Sequence, residues 1–423
     1  MEASFSYTQK CLSVLRSMGR KRLLAPSERG PRIVFSLLRK VISIRMEKQK
    51  ELFCMIPDFG TLGFGFLRLP HIDPDDSRDV DLRTAAQMVD LFLERGFRYF
   101  DTAYTYLDGM SEISLRKTLV ERHPRDSFMI ADKLPCGMLR RGKTREEIFA
   151  EQLRRCGVDF FDVYLLHGLD GEDAAYAEEQ GCFDFLRELK QQGKARYIGF
   201  SFHDTADVLD GILTRHPEVD VVQIQLNYLD WDNPIIQSGA CWEICHRHGK
   251  PIIVMEPVKG GTLANVPEAA ARLFSGEAPA HRALRFAASR EGVAVVLSGM
   301  STPEQMDENT RILGDLAPLT DAEEAQLRQA AEIIRNSVAI PCTGCAYCTP
   351  VCPAQLPIPR YFSLYNERKR DGWQVNAEGR YAELTKSHPA ADQCLGCRRC
   401  EQECPQKLGI AEFMKQVSQV FDR

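Results

Sequence analysis

Two short cysteine runs near the end of the chain constrain its fold more than any other feature. Residues 342–353 read CTGCAYCTPVCP, and residues 394–405 read CLGCRRCEQECP. Each run follows the pattern C-x2-C-x2-C-x3-C-P, in which a fourth thiol stands directly before a proline. Thiols with this regular spacing predict a segment that folds around bound inorganic groups, because thiolates are strong ligands for soft metals.

The spacing favours iron–sulfur clusters. Zinc sites are the alternative, but zinc motifs use two cysteines per knuckle, not three followed by a fourth and a proline. The runs resemble those of two-cluster ferredoxins, and the long helix-like insert between them resembles the dicluster modules of redox complexes. That resemblance implies that each fourth ligand is exchanged between two 4Fe-4S clusters. The expected ligands are Cys342, Cys345, Cys348 and Cys404 for one cluster, and Cys394, Cys397, Cys400 and Cys352 for the other.

The first three-quarters of the chain alternate short apolar runs with amphipathic segments of helical length. The runs are dense in Val, Ile, Leu and Phe with little polar alternation, as strands buried on both faces require. Residues 82–96 have apolar residues at helical spacing and end at Gly96, and residues 144–157 begin with a Thr/Glu capping-box pattern. The predicted strands are 60–69, 98–103, 128–134, 161–168, 197–202, 219–227, 251–258 and 293–300.

Eight strand–helix units over about 250 residues predict an α/β fold of the (β/α)8 TIM-barrel type. A doubly wound sheet is the alternative, but it would usually show G-x-G-x-x-G after the first strand, where this chain has Pro70 and acidic residues. The barrel is followed by a small, mainly helical, two-cluster ferredoxin-like domain. The expected boundaries are a basic extension at 1–45, the barrel at 46–318, a connector helix at 319–340 and the cluster domain at 341–423.

The first 45 residues, called the head below, differ in charge from the rest of the chain. Residues 1–45 hold ten Lys and Arg against two acids, whereas the whole chain of 423 residues has a net charge of −5. The basic head is typical of a transit peptide or of an arm that binds a partner. Alternatively, translation starts at Met46 and the head is not part of the protein. The acidic remainder, without a basic patch interleaved with aromatics, argues against nucleic acid as a partner.

The other cysteines and the hydropathy indicate the compartment. Seven of the fifteen cysteines lie outside the two runs without ligand spacing, as expected for small core or surface residues in a reducing cytosol. The sequence has no run of 18 apolar residues, so we expect no transmembrane helix. We therefore expect a cytoplasmic protein.

A second resemblance lies in the predicted barrel. Residues 95–119, RGFRYFDTAYTYLDGMSEISLRKTL, resemble the aldo/keto reductase pattern, in which Asp-Thr-Ala-x-x-Tyr follows the second strand. The resemblance includes Lys133 after the third strand and His167 after the fourth, and it covers about residues 58–313. As a whole the chain is similar to aldo/keto reductases that carry a C-terminal iron–sulfur domain. This implies an oxidoreductase acting on a carbonyl or alcohol with a nicotinamide cofactor.

Elementary chemistry gives the four matched residues compatible roles, since barrel enzymes keep their chemistry at the carboxyl ends of the strands. Reducing a carbonyl by hydride leaves an alkoxide that needs a proton, and Tyr106 is the expected general acid/base. A buried Lys133 is expected to lower the pKa of Tyr106, with Asp101 holding Lys133 and His167 orienting the substrate oxygen. Tyr104 is equally phenolic, but the family spacing selects Tyr106, so we expect Tyr104 to pack or to form the pocket wall.

The match to the family's cofactor residues is incomplete. Phe202 stands where an Asn is usual, and NADP-specific relatives place a Lys and an Arg where this chain has Gly299 and Gln305. Without those charges a 2′-phosphate has weak recognition, so the sequence leaves NADH and NADPH open. Residues 298–309 match the family's adenosine-phosphate loop and the first turn of its last helix, where helix N-terminal amides can bind phosphate. The residues that the resemblance assigns to the cofactor are Ser201, Gln223, Gly299, Met300, Ser301, Glu308 and Asn309.

The two halves handle electrons differently, because nicotinamide gives up a hydride whereas each cluster takes one electron. The first hypothesis is an enzyme whose clusters feed or drain electrons through a redox partner protein while the barrel reduces a small carbonyl or oxidises an alcohol. The second is an electron-transfer or assembly subunit whose barrel binds cofactor or partner without reductase chemistry. The third is that the clusters only stabilise the fold of the C-terminal part and sense oxygen.

Overall fold

The eight predicted strands close into one parallel barrel in the computed structural model of the chain, which describes residues 59–73, 76–371 and 376–422. The strands follow chain order around the barrel, and the first pairs with the eighth. The barrel prediction is therefore confirmed. The strands are β1 (Leu62–Gly65), β2 (Tyr99–Asp101), β3 (Met129–Leu134), β4 (Phe161–Leu169), β5 (Ala195–Phe202), β6 (Val221–Gln225), β7 (Ile252–Met255) and β8 (Val293–Ser298).

Helices follow the strands along the chain and continue into the C-terminal part. The α-helices of the barrel part are α1 (Leu82–Glu94), α2 (Met110–Leu115), α3 (Cys136–Leu139), α4 (Arg145–Cys156), α5 (Gly171–Glu179), α6 (Cys182–Gln191), α7 (Ala206–Arg215), α8 (Ser238–Arg247), α9 (Glu268–Ala271), α10 (Pro279–Ala288) and α11 (Pro303–Gly314). Those that follow are α12 (Asp321–Ser337), α13 (Ile358–Asp371), α14 (Ala377–Leu384), α15 (Arg399–Gln402) and α16 (Ile410–Phe421).

Local sequence explains where key helices begin. The Thr144 side chain accepts a hydrogen bond from the Glu147 backbone N–H, and the Glu147 side chain accepts one from the Thr144 backbone N–H. This reciprocal capping starts α4 as its sequence predicts, and Thr320 with Glu323 starts α12 in the same way. Because such caps satisfy amides that lack intrahelical partners, they fix the first residue of each helix.

The barrel interior is packed with side chains rather than open. Alternate strand positions point inward and form a buried cluster, so the lower barrel leaves no channel for a ligand. Chemistry is therefore confined to the mouth at the carboxyl ends of the strands. The interior cluster is formed by Phe59, Tyr99, Ala131, Val163, Leu165, Val221, Ile253, Val295 and Leu297.

The C-terminal part has its own apolar core, in which Tyr361, Phe362, Met414 and Val417 are fully buried. The insert between the cysteine runs forms α13 and α14, as its composition predicts. By contrast, α12 belongs with the barrel, since its buried face joins the barrel core. The predicted domain boundaries themselves stay predictions.

Two further expectations concern membrane-spanning helices and the N-terminal extension. Within the described residues, no helix combines the length and the apolar content needed to cross a bilayer. The basic extension at 1–45 and the alternative start at Met46 lie outside the described residues.

Candidate functional site

The four residues expected to carry the chemistry lie at one end of the barrel. Asp101 is the last residue of β2, Lys133 lies near the end of β3 and His167 lies near the end of β4. Tyr106 begins a short 3₁₀ turn just after β2. Because parallel strands end at the same rim, these four side chains come from neighbouring positions around the mouth.

A buried ion pair forms the base of the site. Nζ of Lys133 lies 2.6 Å from Oδ1 of Asp101 and donates to the Thr102 carbonyl at 2.8 Å. Both side chains are almost fully buried. Burial raises the pKa of Asp101 above its ordinary value, while the charge of Lys133 opposes that shift. With the ammonium this close, we take the carboxyl to be ionised at neutral pH.

Tyr106 lies over this pair. Nζ of Lys133 is 4.8 Å from the centre of the Tyr106 ring, and the ring of His167 packs edge-on against it at 5.7 Å. Burial raises the pKa of Tyr106 well above its ordinary value, and the charge of Asp101 raises it further. The expected net lowering of the Tyr106 pKa is therefore wrong, because burial of the phenol and the charge of Asp101 raise it. The phenol stays protonated at neutral pH, which is the form that donates a proton.

His167 is held in its neutral form. Burial lowers its pKa well below the ordinary value, and the charges of Lys133 and His203 act in the same direction. A neutral imidazole beside a phenol can donate one hydrogen bond to a substrate oxygen, and it leaves the transfer of a proton to that oxygen to the phenol.

Tyr104 belongs to a different set of contacts. Its hydroxyl donates to Glu151 at 2.9 Å and accepts from Lys143 at 2.6 Å. Since these partners lie on α4 and just before it, Tyr104 joins the outer layer of the barrel rather than the pair of Lys133 and Asp101. The two tyrosines of the motif thus have separate partners.

A fifth side chain enters the site from the first cysteine run. Tyr347, between Cys345 and Cys348, lies near enough to Tyr106 for each phenol to affect the pKa of the other, and burial raises the pKa of both well above the ordinary value. Sequence reasoning missed this residue, because it occupies one of the variable positions of the cysteine pattern and nothing there signals a contact with the barrel.

The two residues expected to hold the nicotinamide carboxamide are adjacent in the barrel. Ser201 on β5 pairs in register with Gln223 on β6, and both are buried. The Ser201 hydroxyl accepts a hydrogen bond from the Gly168 backbone N–H at 2.7 Å. Oε1 of Gln223 is a buried acceptor without a partner among the described residues. A buried orphan acceptor has a cost, and a carboxamide N–H would satisfy it, so this position fits the group.

The loop after β8 is largely engaged by protein groups. The Ser301 hydroxyl donates to the Arg68 carbonyl at 2.8 Å, and the Ser301 backbone N–H donates to Oε1 of Gln305 at 2.8 Å. A Cβ at Gly299 would lie 3.2 Å from the Arg68 side chain, and Met300 is buried. Arg68 thus covers the loop that the resemblance assigns to the cofactor phosphates.

The two residues expected at the adenine lie in the middle of α11. Nδ2 of Asn309 donates to the Ser298 hydroxyl at 3.1 Å, which fixes the end of β8. Glu308 remains 61% exposed, with His281 at 3.6 Å. Glu308 is therefore the more available of the two for a ligand.

The structure brings the eight cysteines together in the two expected groups. Cys342, Cys345 and Cys348 interact electrostatically with Cys404 from the second run. Burial raises the pKa of Cys342 to about 11, so ligation there must displace a proton. The second group surrounds one small cavity, which is lined by Cys352, Cys394, Cys397 and Cys400. Four thiols around each position fit a 4Fe-4S cluster.

The cluster part docks on the mouth of the barrel. Nη2 of Arg68 donates to the Thr343 carbonyl at 2.8 Å, and Nζ of Lys407 lies 2.8 Å from Asp170. Gln406, next to Pro405 of the second run, exchanges hydrogen bonds with Gln225 at the end of β6. Segments of both cysteine runs therefore contact the barrel, at Arg68, Asp170 and Gln225.

Comparison with known proteins agrees with both halves. The family model described as Aldo/keto reductase family matches residues 61–279, and the model of a 4Fe-4S dicluster domain matches residues 341–408.

The chain is also similar to individual proteins. It is 28% identical over 228 residues to an aldo-keto reductase of Mycolicibacterium vanbaalenii, covering 53% of this chain and 76% of that protein. It is 24% identical over 305 residues to the NADH-specific methylglyoxal reductase of Escherichia coli, covering 59% of this chain and 88% of that protein. A solved aldo-keto reductase from Bacillus halodurans has a TM-score of 0.51 at 23% identity, covering 64% of this chain and 91% of that one, and supports the fold.

Proposed function

The chain belongs to the aldo/keto reductase family and is an oxidoreductase with an iron–sulfur domain, and on that basis we propose that its barrel site reduces a small carbonyl compound, or oxidises the corresponding alcohol. The observation that carries the proposal is the buried pair of Lys133 and Asp101, 2.6 Å apart, beneath the ring of Tyr106. Lys133 and Asp101 already neutralise each other, so their ion pair does not require a tyrosine beside it. The pair and Tyr106 lie at the carboxyl ends of the strands, where barrel enzymes keep their catalytic groups.

Each of the four site residues would have a separate role in the reaction. His167, held neutral by burial, donates a hydrogen bond to the carbonyl oxygen and orients it. Tyr106, kept protonated by burial, gives its proton to that oxygen as negative charge develops there. Lys133 stabilises the resulting phenolate through space, and Asp101 keeps Lys133 charged and in place. The carbon–hydrogen bond is formed with the hydride that a bound nicotinamide supplies.

Ser201 and Gln223 would hold the carboxamide of that nicotinamide. The buried, unpartnered Oε1 of Gln223 supports this assignment among the described residues. Gly299, Met300, Ser301, Glu308 and Asn309 stay proposed contacts for the rest of the cofactor. We propose that NADH serves at least as well as NADPH, since Gly299 and Gln305 bring no cation to a 2′-phosphate.

The eight cysteines would hold two 4Fe-4S clusters that pass electrons to or from a redox partner. The two groups of four thiols, one of them around a single cavity, support this ligand assignment. Oxygen-labile clusters and unpaired core thiols such as Cys136, Cys156 and Cys245 suit a reducing compartment, so we also propose a cytoplasmic protein.

An anaerobic rate assay tests the proposal. The reconstituted full chain would be mixed with NADH or NADPH and a panel of small aldehydes, ketones and alcohols, including methylglyoxal. We expect turnover with at least one substrate, and a loss of about 10²–10⁴-fold in Tyr106→Phe, because the proton donor is gone. Tyr104→Phe is the matched control and should stay close to wild type. No turnover with any substrate, or equal rates in the two variants, would reject the proposal.

One observation favours the second candidate, an electron-transfer subunit without reductase chemistry. Arg68 covers Gly299 and binds Thr343 of the first cysteine run, which leaves the proposed phosphate loop occupied by protein groups. Under this alternative, the Tyr106→Phe protein would deliver electrons to an acceptor as well as wild type does. If the barrel of such a subunit holds a partner rather than a cofactor, a fluorescence titration would detect no binding of NADH or NADPH.

A further inference from the structure

Three buried side chains outside the barrel mouth bring two carboxyl groups and a thiol together. Glu112 lies on α2, Asp132 lies on β3, and Cys156 is the last residue of α4. The Sγ atom of Cys156 and one carboxyl oxygen from each acid all lie within 4.8 Å of one another. All three residues are fully buried. Acidic side chains are rarely buried completely without a cation or other partners, so this group requires an explanation.

Asp132 occupies a strand position at which packing alone would favour an apolar side chain. Ala131 belongs to the barrel interior, whereas Ile130 and Leu134 belong to the core between the strands and the helices. Because side chains two residues apart on a strand point to the same side, Asp132 shares the outer face of β3 with Ile130 and Leu134. Its carboxyl group therefore lies in the layer between the barrel and the helices.

The hydrogen bonds to the two carboxyl groups do not use all of their oxygens. Arg155 donates to Oε2 of Glu112 at 2.8 Å. Oδ1 of Asp132 accepts from the Lys133 backbone N–H at 2.8 Å, and Oδ2 lies 3.8 Å from Sγ of Cys156. Oε1 of Glu112 is buried and has no hydrogen-bond partner among the described residues. Since a buried acceptor without a partner is destabilising, a further ligand would improve this group.

The neighbouring cations do not balance the charge of the group. Arg155 is shared with Glu151, which lies 2.5 Å from its guanidinium. The ammonium of Lys133, the residue after Asp132, lies 2.6 Å from Asp101 on the other side of the strand. Two carboxylates and a thiolate beside one shared guanidinium would leave about two negative charges, and buried charges need compensation. A divalent cation would neutralise them.

The donor atoms of the group match those that zinc prefers. Zinc binds cysteine sulfur and carboxylate oxygen with bonds of about 2.0–2.3 Å, usually in a tetrahedron. Atoms at the corners of such a tetrahedron are about 3–4 Å apart, so the three side chains need only a small contraction to reach it. Magnesium and calcium prefer oxygen ligands alone, which would leave the thiol without a role. The second oxygen of a carboxylate, or a water molecule, would fill the fourth position.

We propose that Glu112, Asp132 and Cys156 form a structural zinc site that fastens α2 and α4 to the outer face of β3. The site is separate from the two cysteine runs, and it does not depend on the proposed function of the barrel. Binding would release the thiol proton and any proton held by the carboxyl groups, and the metal would keep its oxidation state. The three ligands come from elements that meet only in the folded barrel, so zinc should bind the folded chain and stabilise it.

X-ray absorption at the zinc edge tests the proposal on the full chain, after its cysteine runs have been reconstituted with iron and sulfide. We expect about one zinc ion per chain, bound by one sulfur at about 2.3 Å and by oxygens at about 2.0–2.2 Å. Zinc that had entered a cysteine run instead would show several sulfur ligands. The spectrum thus separates the two locations without any measurement of activity.

Two variants each remove one ligand with a small change in volume. Cys156→Ala and Asp132→Asn should both lose the zinc while keeping the iron content of wild type. The matched control is Cys245→Ala, because Cys245 on α8 is equally buried and lies outside the group. Added Zn²⁺ should raise the urea midpoint of wild type and of Cys245→Ala, but not that of Cys156→Ala.

Three results would overturn the proposal. They are a wild-type chain without zinc, zinc bound by several sulfurs only, or equal zinc contents in Cys156→Ala and Cys245→Ala. A zinc-free wild type that is less stable than Glu112→Gln would show that the two carboxyl groups repel each other or share a proton instead of holding a metal.

Discussion

Lys133 is the residue on which the barrel site most depends. Its ammonium has no exposed surface and lies 2.6 Å from Asp101, so its charge is compensated within the protein rather than by water. Removing one partner of a buried pair leaves the other uncompensated, which costs more than the pair contributes. Under the proposed function, the same residue would serve both stability and chemistry.

Lys133→Met should lower kcat/KM by at least about 100-fold, because the phenolate of Tyr106 loses its cation. It should also lower the free energy of unfolding by about 3 kcal/mol, because Asp101 stays buried without a partner. Initial rates and urea unfolding of the full chain measure the two effects. Lys143→Met, whose side chain is 38% exposed, is the control. Equal losses in both variants would contradict a special role for Lys133.

His203 makes the stability of the molecule depend on pH. Burial first, and then the charge of Lys407, lower its pKa to about 4, against an ordinary value of 6.5. Above pH 6.5 the imidazole is neutral in both the folded and the unfolded chain. As the pH falls below 6.5 the unfolded chain binds the proton first, so stability decreases until about pH 4.

The free energy of unfolding should therefore fall less steeply between pH 6.5 and 5 in His203→Gln than in wild type. The comparison of two urea series isolates this residue, because the other titrating groups are shared. Parallel curves for the two proteins would show that His203 does not contribute. The nearby pair of Lys407 and Asp170 keeps its charges over this range.

At the level of residues, the sequence predicted which side chains lie at the candidate site better than it predicted their burial and contacts. Asp101, Lys133 and His167 were predictable because strand ends in a barrel share one rim. The direction of the Tyr106 pKa shift was not, because it depends on burial that no motif encodes. Tyr347 was equally hidden, since its contact spans two domains and its neighbours in the sequence are cluster ligands.

Among the elements, the loop after β7 couples the barrel to the first cysteine run. Gly260 has a left-handed backbone, with φ of 60°, and its Cα faces the Thr343 carbonyl. Gly261 beside it is also left-handed, with φ of 96°, but a Cβ there would meet nothing within 4 Å. Alanine would therefore carry the cost of a positive φ at both positions, which differ in what its Cβ would touch.

Gly260→Ala should push the Thr343 segment away, because its new methyl group would stand 1.9 Å from the carbonyl oxygen. We expect a larger loss of barrel activity than in Gly261→Ala, with both clusters still assembled. Gly261→Ala carries the cost of a left-handed alanine alone, about 1 kcal/mol. If the two alanines behave alike in activity and in unfolding, contact with Thr343 does not position the segment.

The elements also show why the strands were predictable and their ends were not. The eight apolar runs each hold one strand, since burial on both faces leaves a continuous apolar signal. The ends differ where a turn begins inside the run, as at Phe66–Arg68 after β1. The capping box at Thr144 was readable because it needs only two side chains three residues apart.

Across the described part of the molecule, the cysteine-containing C-terminal part packs on the mouth of the barrel. Fold and domain order followed from periodicity and cysteine spacing, whereas the docking of one part on the other did not. That docking depends on pairs far apart in the sequence, such as Lys407 with Asp170 and Gln406 with Gln225. Under the proposed function it would bring one-electron carriers next to a site for hydride transfer, so the source of the substrate's hydrogen becomes the central question.

Transfer of deuterium from C4-deuterated NADH or NADPH to the product alcohol, followed by NMR under anaerobic conditions, tests this most directly. If the barrel performs hydride reduction at Tyr106, the carbinol carbon of the wild-type product should carry the label, and the Tyr106→Phe protein should form almost none. A product whose new carbon-bound hydrogen comes only from solvent, at a rate indifferent to Tyr106, would contradict the account.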